Sequence, residues 1–579
     1  MSSLKIGSNR FWRVIYLSLP VVFGCLLSAC EPSAKAATIE PPPEILVPIT
    51  VTSNSGLQIT TAIAKILGTS ISDSLENDNQ LLLRMCFHPN QISVWAPGHY
   101  IKTVLCDGRT TPYDVRLEKL DNDNTNYSWN SAQTCSGCHS ESQGRMEYSE
   151  WTYDRHSRVF VDPYFWTVYM GTDIFRNHGT ETSWTILPDG QKSRSPSDSK
   201  YGPGFRLDYP NENGNCAHCH APAAVKALER GLNLADWNNT LPGNRLNVET
   251  EGVTCDVCHK ATDVLIGENR LPFAERPGIL SFLFIRPSLN PLFHIGPLAD
   301  LKPENSEIQS TCSQVFSESK FCAACHYGKF FDTVIYNSYG EWLESSYSNK
   351  ESRGYRSCQD CHMPSSQEVG NTLPGERAAC SQANHSFRDF NHNTMARDTF
   401  DIPTRIKGAA SIELTARIED GRINIAVSVQ SVDVGHKFPT DSPLRHLILL
   451  VEAKDRNNMP LAQVDGAVIP LWGGVGNQPE DYAGRPGEIY ANILKDKDTS
   501  QTPTIAYWNP TLPAWGGADT RLDPGMSTKS EYSFAAPSNG RATITAKLIY
   551  RYAFLDIIRQ KGWPINDILV TETMPLAIP

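Results

Sequence analysis

Two stretches in the last third of the chain alternate between apolar and polar residues. Apolar side chains recur at every second position over 411–418 and again over 423–429, and Asp420 and Gly421 lie between the two stretches. A period of two is typical of a β-strand with one buried face, and Asp-Gly favours a tight turn. The pattern therefore predicts a β-hairpin with a two-residue turn.

Further strands are expected after this hairpin. Apolar-rich stretches at 446–453 and 542–552 continue the β pattern, and a short helix is predicted at 554–561, ended by Gly562. The sequence therefore predicts that residues 406–579 form an all-β sandwich with a short C-terminal helix.

The first 30 residues have the layout of a bacterial export signal. Three basic residues precede an apolar run over 14–27, which leads into Leu27-Ser28-Ala29-Cys30. A transmembrane helix is the alternative, but Pro20 interrupts the run, which ends short of the ~20 residues that a membrane span needs. Residues 1–29 are therefore predicted to be a lipoprotein signal peptide.

The end of this signal resembles the bacterial lipobox, which implies that Cys30 is lipidated and anchors the mature chain to a membrane. Glu31 is not the Asp that commonly retains lipoproteins at the inner membrane. The expected location is the periplasmic face of the outer membrane or the cell surface. Residues 30–48 are rich in Pro and predict an extended tether.

Composition excludes one broad class of partner. The formal net charge is −11, and removal of residues 1–29, which hold three basic and no acidic residues, moves it to −14. An acidic protein of this kind is not expected to bind nucleic acid.

Ten of the 16 cysteines fall into five copies of the motif C-x-x-C-H, where chance would give on the order of 0.01 copies. The copies are Cys135/Cys138/His139, Cys216/Cys219/His220, Cys255/Cys258/His259, Cys322/Cys325/His326 and Cys358/Cys361/His362. Two thiols at this spacing can bond to the two vinyl groups of one haem, and the adjacent His can ligate its iron. Five c-type haems are therefore predicted. Structural zinc is the alternative, but it does not require a His after each second Cys.

The four cysteines outside the signal, the lipobox and the haem motifs are disulfide candidates in an oxidising compartment. They are Cys86, Cys106, Cys312 and Cys380. One arrangement joins Cys86 to Cys106 and Cys312 to Cys380. Four cysteines allow three arrangements, and the sequence does not choose among them.

Ten histidines remain once the five proximal ligands are assigned, so a second His on each iron is the expected ligation. His156 follows a Glu-Trp pair after the first motif. In a similar stretch after the fourth motif, Tyr347 takes the place of His156, so the haem facing Tyr347 is expected to be ligated from elsewhere or left open. The candidate distal ligands are His156, His385, His436, His218, His178, His294 and His392.

Several motifs together resemble the superfamily of the nitrifier tetrahaem cytochrome c and hydroxylamine oxidoreductase. They are Glu-Trp-x4-His ending at His156, the stretches 251–259 and 358–364, and the Gly-His-Lys-Phe-Pro-Thr of 435–440. The resemblance covers about residues 130–445 and implies closely spaced haems that pass electrons. The chain lacks a C-x-x-C-K motif and an obvious match to the cross-linking Tyr of the hydroxylamine-oxidising enzymes.

Residues 49–405 are accordingly predicted to form a haem-rich, mainly α and loop multihaem cytochrome domain. Motifs two and three lie 39 residues apart, and motifs four and five lie 36 apart. Each of these two couples is expected to hold a pair of close haems, and the haem of the first motif is expected to lead into them. Because little polypeptide surrounds five porphyrins, the haems are expected to supply much of the core.

Three functions fit these residues. The first is an electron carrier exchanging electrons with other redox proteins or cytochromes, since six-coordinate haem has no place for substrate. The second is an oxidoreductase acting on a small nitrogen or sulfur compound at one open-sided haem. The third treats the β-sandwich as a docking module. The sequence favours the carrier over the enzyme.

Overall fold

A computed structural model describes most of the chain after residue 44. The described residues are 45–67, 72–74, 80–85, 90–106, 113–143, 145–195, 198, 200–225, 248–288, 292–297, 308–330, 332–363, 406–513, 519–538 and 540–578. The predicted signal peptide, Cys30 and most of the tether therefore lie outside the described residues. Ile45–Pro579 form one unit.

The chain begins with seven strands that the sequence pattern did not indicate. They are β1 Ile45–Ser53, β2 Ile63–Ile66, β3 Ser72–Ser74, β4 Gln80–Met85, β5 Asn90–Trp95, β6 Lys102–Cys106 and β7 Tyr113–Leu117. One sheet has the order β4-β1-β7, with β1 antiparallel to β4 and parallel to β7. The other is antiparallel in the order β3-β2-β5-β6.

Both N-terminal sheets contribute to one hydrophobic core. Val51 and Val115 come from the first sheet, and Ile66 and Ile92 from the second, and all four are almost completely buried. Up to Leu117 the chain builds β-structure with its own hydrophobic cluster, because alternate residues of these strands face inwards. That residues 49–405 form one haem-bearing domain stays a prediction.

The segment with the haem motifs contains short helices and paired strands. The helices are α1 Ala132–His139, α2 Glu147–Tyr153, α3 Pro163–Met170, α4 Phe205–Asp208, α5 Ala217–His220, α6 Cys255–Cys258, α7 Lys320–Ala323, α8 Ser338–Glu344 and α9 Cys358–His362. The strands are β8 Trp184–Ile186, β9 Lys192–Arg194, β10 Ala261–Val264, β11 Phe282–Phe284, β12 Phe293–Gly296, β13 Gln309–Cys312, β14 Gly328–Phe330 and β15 Thr333–Tyr336.

These strands form four two-stranded pairs, β8-β9, β10-β11, β12-β13 and β14-β15. This segment therefore holds paired strands besides its short helices, and its assignment as a mainly α and loop haem domain stays a prediction. Buried apolar residues here form several small clusters, such as Phe160 with Trp166 and Tyr169, and Tyr339 with Trp342.

The remaining elements follow the haem segment. The strands are β16 Ala410–Glu419, β17 Arg422–Ser431, β18 His446–Asp455, β19 Gln463–Gly466, β20 Gly487–Ala491, β21 Lys495–Asp496, β22 Pro510–Thr511, β23 Ser527–Ala535, β24 Ala542–Arg551, β25 Ile568–Glu572 and β26 Leu576–Ile578, and the helix is α10 Leu555–Lys561. One sheet has the order β16-β17-β23-β19, and the other β20-β18-β24-β25, with β26 also paired to β24.

The hairpin expected from the alternating pattern is present. β16 and β17 pair antiparallel from Ala410↔Ser431 to Glu419↔Arg422. Asp420 and Gly421 connect them with φ angles of 49° and 71°, the left-handed values of a primed turn. The inward-facing residues of β17 share one hydrophobic core with residues of the second sheet.

The C-terminal helix joins this β-structure to the haem segment. α10 ends at Gly562, which adopts the left-handed conformation. Lys561 is fully buried, and its Nζ donates hydrogen bonds of 2.9 Å to the carbonyl oxygens of Thr167 and Pro203. Within the described ranges, none of the helices has the length and apolar character needed to cross a membrane.

Candidate haem-binding sites

Each C-x-x-C-H motif lies on or at the end of a helical turn. In a helix, residues three and four apart share one face, so both cysteines and the His of each motif can address one ligand. Side chains placed just before three motifs cap these turns. Ser131 accepts from Gln133 N, Thr254 from Val257 N, and Ser357 forms a capping box with Asp360.

Cysteines from different motifs lie close enough to shift one another's pKa. The interacting thiols are Cys135 with Cys255, Cys219 with Cys325, and Cys322 with Cys358. The fourth motif therefore lies close to both the second and the fifth, and the first lies close to the third. Both predicted haem pairs, of motifs two with three and of motifs four with five, stay predictions.

Cys138 is exposed, whereas the other nine motif cysteines are partly buried. Helix α1 brings Cys135 close to Cys255 of the third motif and leaves Cys138 facing solvent. The expectation that the haems supply much of the core stays a prediction.

Cys361 also differs from its neighbour in the fifth motif. Cys358 interacts with the Cys322 thiol, whereas Cys361 is partly buried near Tyr347. Burial and the nearby Asp433 raise the pKa of Tyr347, and the Cys361 thiol adds a smaller effect in the same direction. The two cysteines of this motif therefore face different neighbours. Cys138 and Cys361 both stay predicted attachment sites for haem.

The structure places a second histidine between 6.1 and 6.5 Å from three of the five motif histidines, measured between ring centres. The ring centres of His326 and His156 are 6.1 Å apart. Those of His362 and His436 are 6.3 Å apart, and those of His259 and His294 are 6.5 Å apart. In each pair, one residue belongs to a C-x-x-C-H motif and the other is a predicted distal ligand.

These separations match two imidazoles on opposite faces of one iron. An imidazole nitrogen lies about 2.0 Å from the metal, and the ring centre about 1.15 Å further, so the two centres would be roughly 6.3 Å apart. Rings in direct stacking contact would be closer, as are Phe165 and His220 at 4.1 Å. The donor sets of these three motifs therefore fit haem iron with two histidine ligands.

Hydrogen bonds on Nδ1 orient several of these imidazoles. His259 Nδ1 lies 2.8 Å from the carbonyl oxygen of Ile295, and His436 Nδ1 lies 2.9 Å from that of Lys437. His220 Nδ1 lies 3.1 Å from the carbonyl oxygen of Val159. A carbonyl oxygen only accepts, so Nδ1 carries the proton and Nε2 is left to bind metal.

Burial works to lower the pKa of His326, but Asp441 opposes that effect and the net shift of the pKa is upward. The His326 side chain keeps 42% of its surface accessible.

His294 is held in the uncharged form that binds metal. It lies on β12, and burial together with the nearby Lys260 lowers its pKa to about 2. His294 is one of the seven distal candidates that the sequence offers. Its position opposite His259 arises because β12 follows the third motif and passes back along it, with Ile295 N donating 2.8 Å to the carbonyl oxygen of His259.

His436 reaches the fifth motif from the loop between β17 and β18. Glu341 on α8 holds this loop, accepting from Lys437 N at 3.2 Å and from Thr440 Oγ1 at 2.5 Å. Tyr347, which takes the place of His156 in the second Glu-Trp stretch, lies beside the same loop, and its hydroxyl donates to Asp433 Oδ1 at 3.4 Å.

The two Glu-Trp stretches form a structural repeat. Trp151 Nε1 donates to the carbonyl oxygen of Val253 at 2.8 Å, and Trp342 Nε1 donates to that of Arg356 at 2.9 Å. Each accepting carbonyl lies two residues before the first Cys of a motif, the third and the fifth respectively. The same tryptophan contact therefore fixes the approach to two motifs.

The remaining predicted ligands lie apart from these pairs or outside the described residues. His178 is exposed, with Nδ1 2.8 Å from the carbonyl oxygen of Gly179, and His218 Nδ1 lies 3.0 Å from that of Asn215. Within the described part of the chain, neither forms a ring pair with a motif histidine. His385 and His392 lie outside the described residues.

The predicted disulfides fall largely outside the described residues. Cys86 and Cys380 lie outside them, and only the backbone of Cys106 is described. Cys312 ends β13, with its sulfur 3.4 Å from the carbonyl oxygen of Pro297. Both pairings stay predictions.

Two acidic residues near the paired histidines were missed by sequence reasoning. Asp154 Oδ1 lies 2.7 Å from His156 Nδ1, and Asp441 Oδ1 lies 3.8 Å from His326 Nδ1. Asp154 lies two residues before the predicted ligand His156, so its contact with that histidine could have been predicted from the sequence. Asp441 could not be connected to His326 from sequence, because the two are far apart along the chain.

In the described ranges, no group of three or more His, Cys, Asp or Glu side chains is placed to hold one metal ion. No family model matches the chain, and a search of curated proteins finds no match. Among solved structures, the chain is similar to a penta-haem cytochrome c552 from Thermochromatium tepidum, with 17% sequence identity and a TM-score of 0.49. The similarity covers 78% of this chain and 99% of that one. A likeness at this level carries no functional argument.

Proposed function

We propose that this protein transfers electrons through five covalently bound c-type haems. The observation that carries the proposal is the placement of a second histidine 6.1–6.5 Å from three motif histidines, measured between ring centres. A carrier needs six-coordinate iron, since a haem with both axial positions filled exchanges electrons but has no position for substrate.

The ring pairs support specific axial assignments. The third motif would use His259 and His294, and the fourth would use His326 and His156. The fifth would use His362 and His436. For the first and second motifs, the candidates that remain are His178, His218, His385 and His392.

The proximity of cysteines from different motifs supports two groups of neighbouring haems, one at the second, fourth and fifth motifs and one at the first and third. The fourth motif would be the junction of the first group, because Cys325 lies close to Cys219 of the second motif and Cys322 lies close to Cys358 of the fifth. The first and third motifs are joined through Cys135 and Cys255. Haems attached at neighbouring cysteines would lie close to one another, as transfer from haem to haem requires.

The proposed setting rests on the sequence. Export and lipidation at Cys30 would place the acidic body at the outer membrane, either on its periplasmic face or at the cell surface. Its proposed partners are other redox proteins or cytochromes. An oxidoreductase acting at one open-sided haem is the alternative that the experiment must separate from a carrier.

The test uses the full chain produced in an export-competent host that attaches c-type haem. Intact mass should show five haems, electron paramagnetic resonance should show low-spin iron throughout, and the reduced protein should not bind carbon monoxide. High-spin iron with carbon monoxide binding would favour the enzyme. Zinc, or polypeptide without haem, would overturn both functions.

A further inference from the structure

A buried carboxylate just before the third C-x-x-C-H motif holds the start of the helix that carries the first motif. Glu251 lies four residues before Cys255 and is buried. Its Oε1 accepts a hydrogen bond from the Ser131 hydroxyl, and its Oε2 accepts from Ala132 N at 2.9 Å. Ser131 is the N-cap of α1, and Ala132 is the first residue of that helix. Glu251 therefore fixes the beginning of α1 against the third motif.

A second buried carboxylate lies inside the third motif itself. Asp256 Oδ2 accepts hydrogen bonds from Tyr127 Oη at 2.9 Å and from Asn130 N at 2.8 Å, and both donors come shortly before α1. Asp256 Oδ1 accepts from Lys260 Nζ at 2.5 Å. Asp256 and Lys260 are almost completely buried. Because the ammonium compensates the carboxylate, Asp256 can hold the segment before α1 away from water.

Apolar packing brings the same two segments together. Trp129, one residue before Asn130, packs against a buried apolar cluster that contains Val257 of the third motif. The ring centre of Trp129 is 5.4 Å from that of Phe284, at an interplanar angle of 72°. This packing does not involve either carboxylate. The two segments should therefore stay together when one polar contact between them is removed.

These contacts determine where two of the predicted haem-attachment sites lie. Cys135 is three residues after Ala132 on α1, and Cys255 lies between Glu251 and Asp256 in the sequence. The Cys135 and Cys255 thiols are close enough to shift each other's pKa. Haems bonded at these two cysteines would therefore be neighbours, held by the same hydrogen bonds.

We propose that Glu251 and Asp256 are positioning residues that fix the haem of the first motif beside the haem of the third, so that electrons pass directly between these two haems. This inference rests on the proposed function. The step moves one electron from the ferrous iron of one haem to the ferric iron of the other and needs no further reactant. The protein's part in such a step is to hold the two cofactors in one arrangement.

The test variant is Glu251→Ala in the full, exported and haem-loaded chain. Electron paramagnetic resonance of the fully oxidised wild type should show magnetic interaction between neighbouring ferric haems. In Glu251→Ala, the Ser131 hydroxyl and Ala132 N lose this acceptor, so the interaction should be lost for two of the five haems and unchanged for the other three. Glu251→Gln keeps one acceptor oxygen and should retain the interaction. Glu268→Ala, at an exposed position after the third motif, is the control and should change no signal.

A milder variant, Tyr127→Phe, decides the question if Glu251→Ala does not fold. It removes one donor to Asp256 and leaves the Asp256–Lys260 ion pair in place, and the same two haem signals should change. Thermal unfolding is measured on the same samples, because a purely structural role would lower Tm without altering the spectra. Wild-type spectra in Tyr127→Phe would overturn the inference, and five low-spin haems in the wild type would still leave the proposed function intact. A wild type without those haems would overturn the function itself.

Discussion

Replacing Glu341 with alanine should loosen His436, the proposed axial ligand of the haem at the fifth motif. Glu341 accepts hydrogen bonds from Lys437 N and Thr440 Oγ1, on the loop that carries His436. Its Oε1 also lies 2.8 Å from Arg521 Nη1 as an ion pair, with the two side chains only 4% and 7% exposed. Glu341→Ala removes all of these contacts at once.

The size of the effect follows from this burial. Removing one member of a buried ion pair costs about 3–5 kcal/mol, because the partner charge is left uncompensated. Arg521 keeps Asp519, at 2.8 and 2.9 Å, so the lower end applies. A loss of about 3 kcal/mol weakens attachment of the loop by about a hundredfold.

The assay is the spin state of the fifth haem. Glu341→Ala should convert part of one haem of the five to the high-spin form, and the reduced variant should bind carbon monoxide at that haem. Glu341→Gln should have a smaller effect, since it can still accept from Lys437 N and Thr440. Glu344→Ala makes the same change on the exposed face of α8 and should have none. A Glu341→Ala protein with five low-spin haems and no carbon monoxide binding would refute the reasoning.

Three further predictions concern stability and anchoring. Burial lowers the pKa of Lys561 to about 7 from 10.5, so between these values the unfolded chain binds a proton that the folded chain does not. Stability should therefore rise with pH by up to about 1.4 kcal/mol per pH unit, and Lys561→Met should flatten the dependence of Tm on pH; parallel curves would contradict this. Trp151→Phe and Trp342→Phe should each cost about 1 kcal/mol, since each removes one hydrogen bond, and thermal unfolding should show similar losses for the two; equal Tm values for variants and wild type would contradict the repeat. Cys30→Ala should move the protein from the membrane to the soluble fraction, as checked by fractionation, and continued membrane binding would exclude lipidation as the anchor.

The sequence by itself determined the local chemistry. The spacing within C-x-x-C-H defines five sites, because two thiols and an imidazole at that spacing share one helical face and can address one haem. The hairpin of β16 and β17 was also readable, because its period-two pattern extends over two long strands joined by Asp420-Gly421. By contrast, the strands between Ile45 and Leu117 are mostly short and separated by irregular segments, so their pattern was not recognised.

Only the tertiary structure decided which histidine faces which motif. His156 follows the first motif in sequence but lies opposite His326 of the fourth, and His436 crosses from the β-structure to the fifth motif. Tyr347 occupies the position of His156 in a local repeat, yet it supports the His436 loop through Asp433. Two histidines form an axial pair only when the two chain segments that carry them pack next to each other. The sequence of one segment does not specify where the other segment will lie. The proximal half of each site is therefore local in sequence, whereas the distal half is a property of the folded chain.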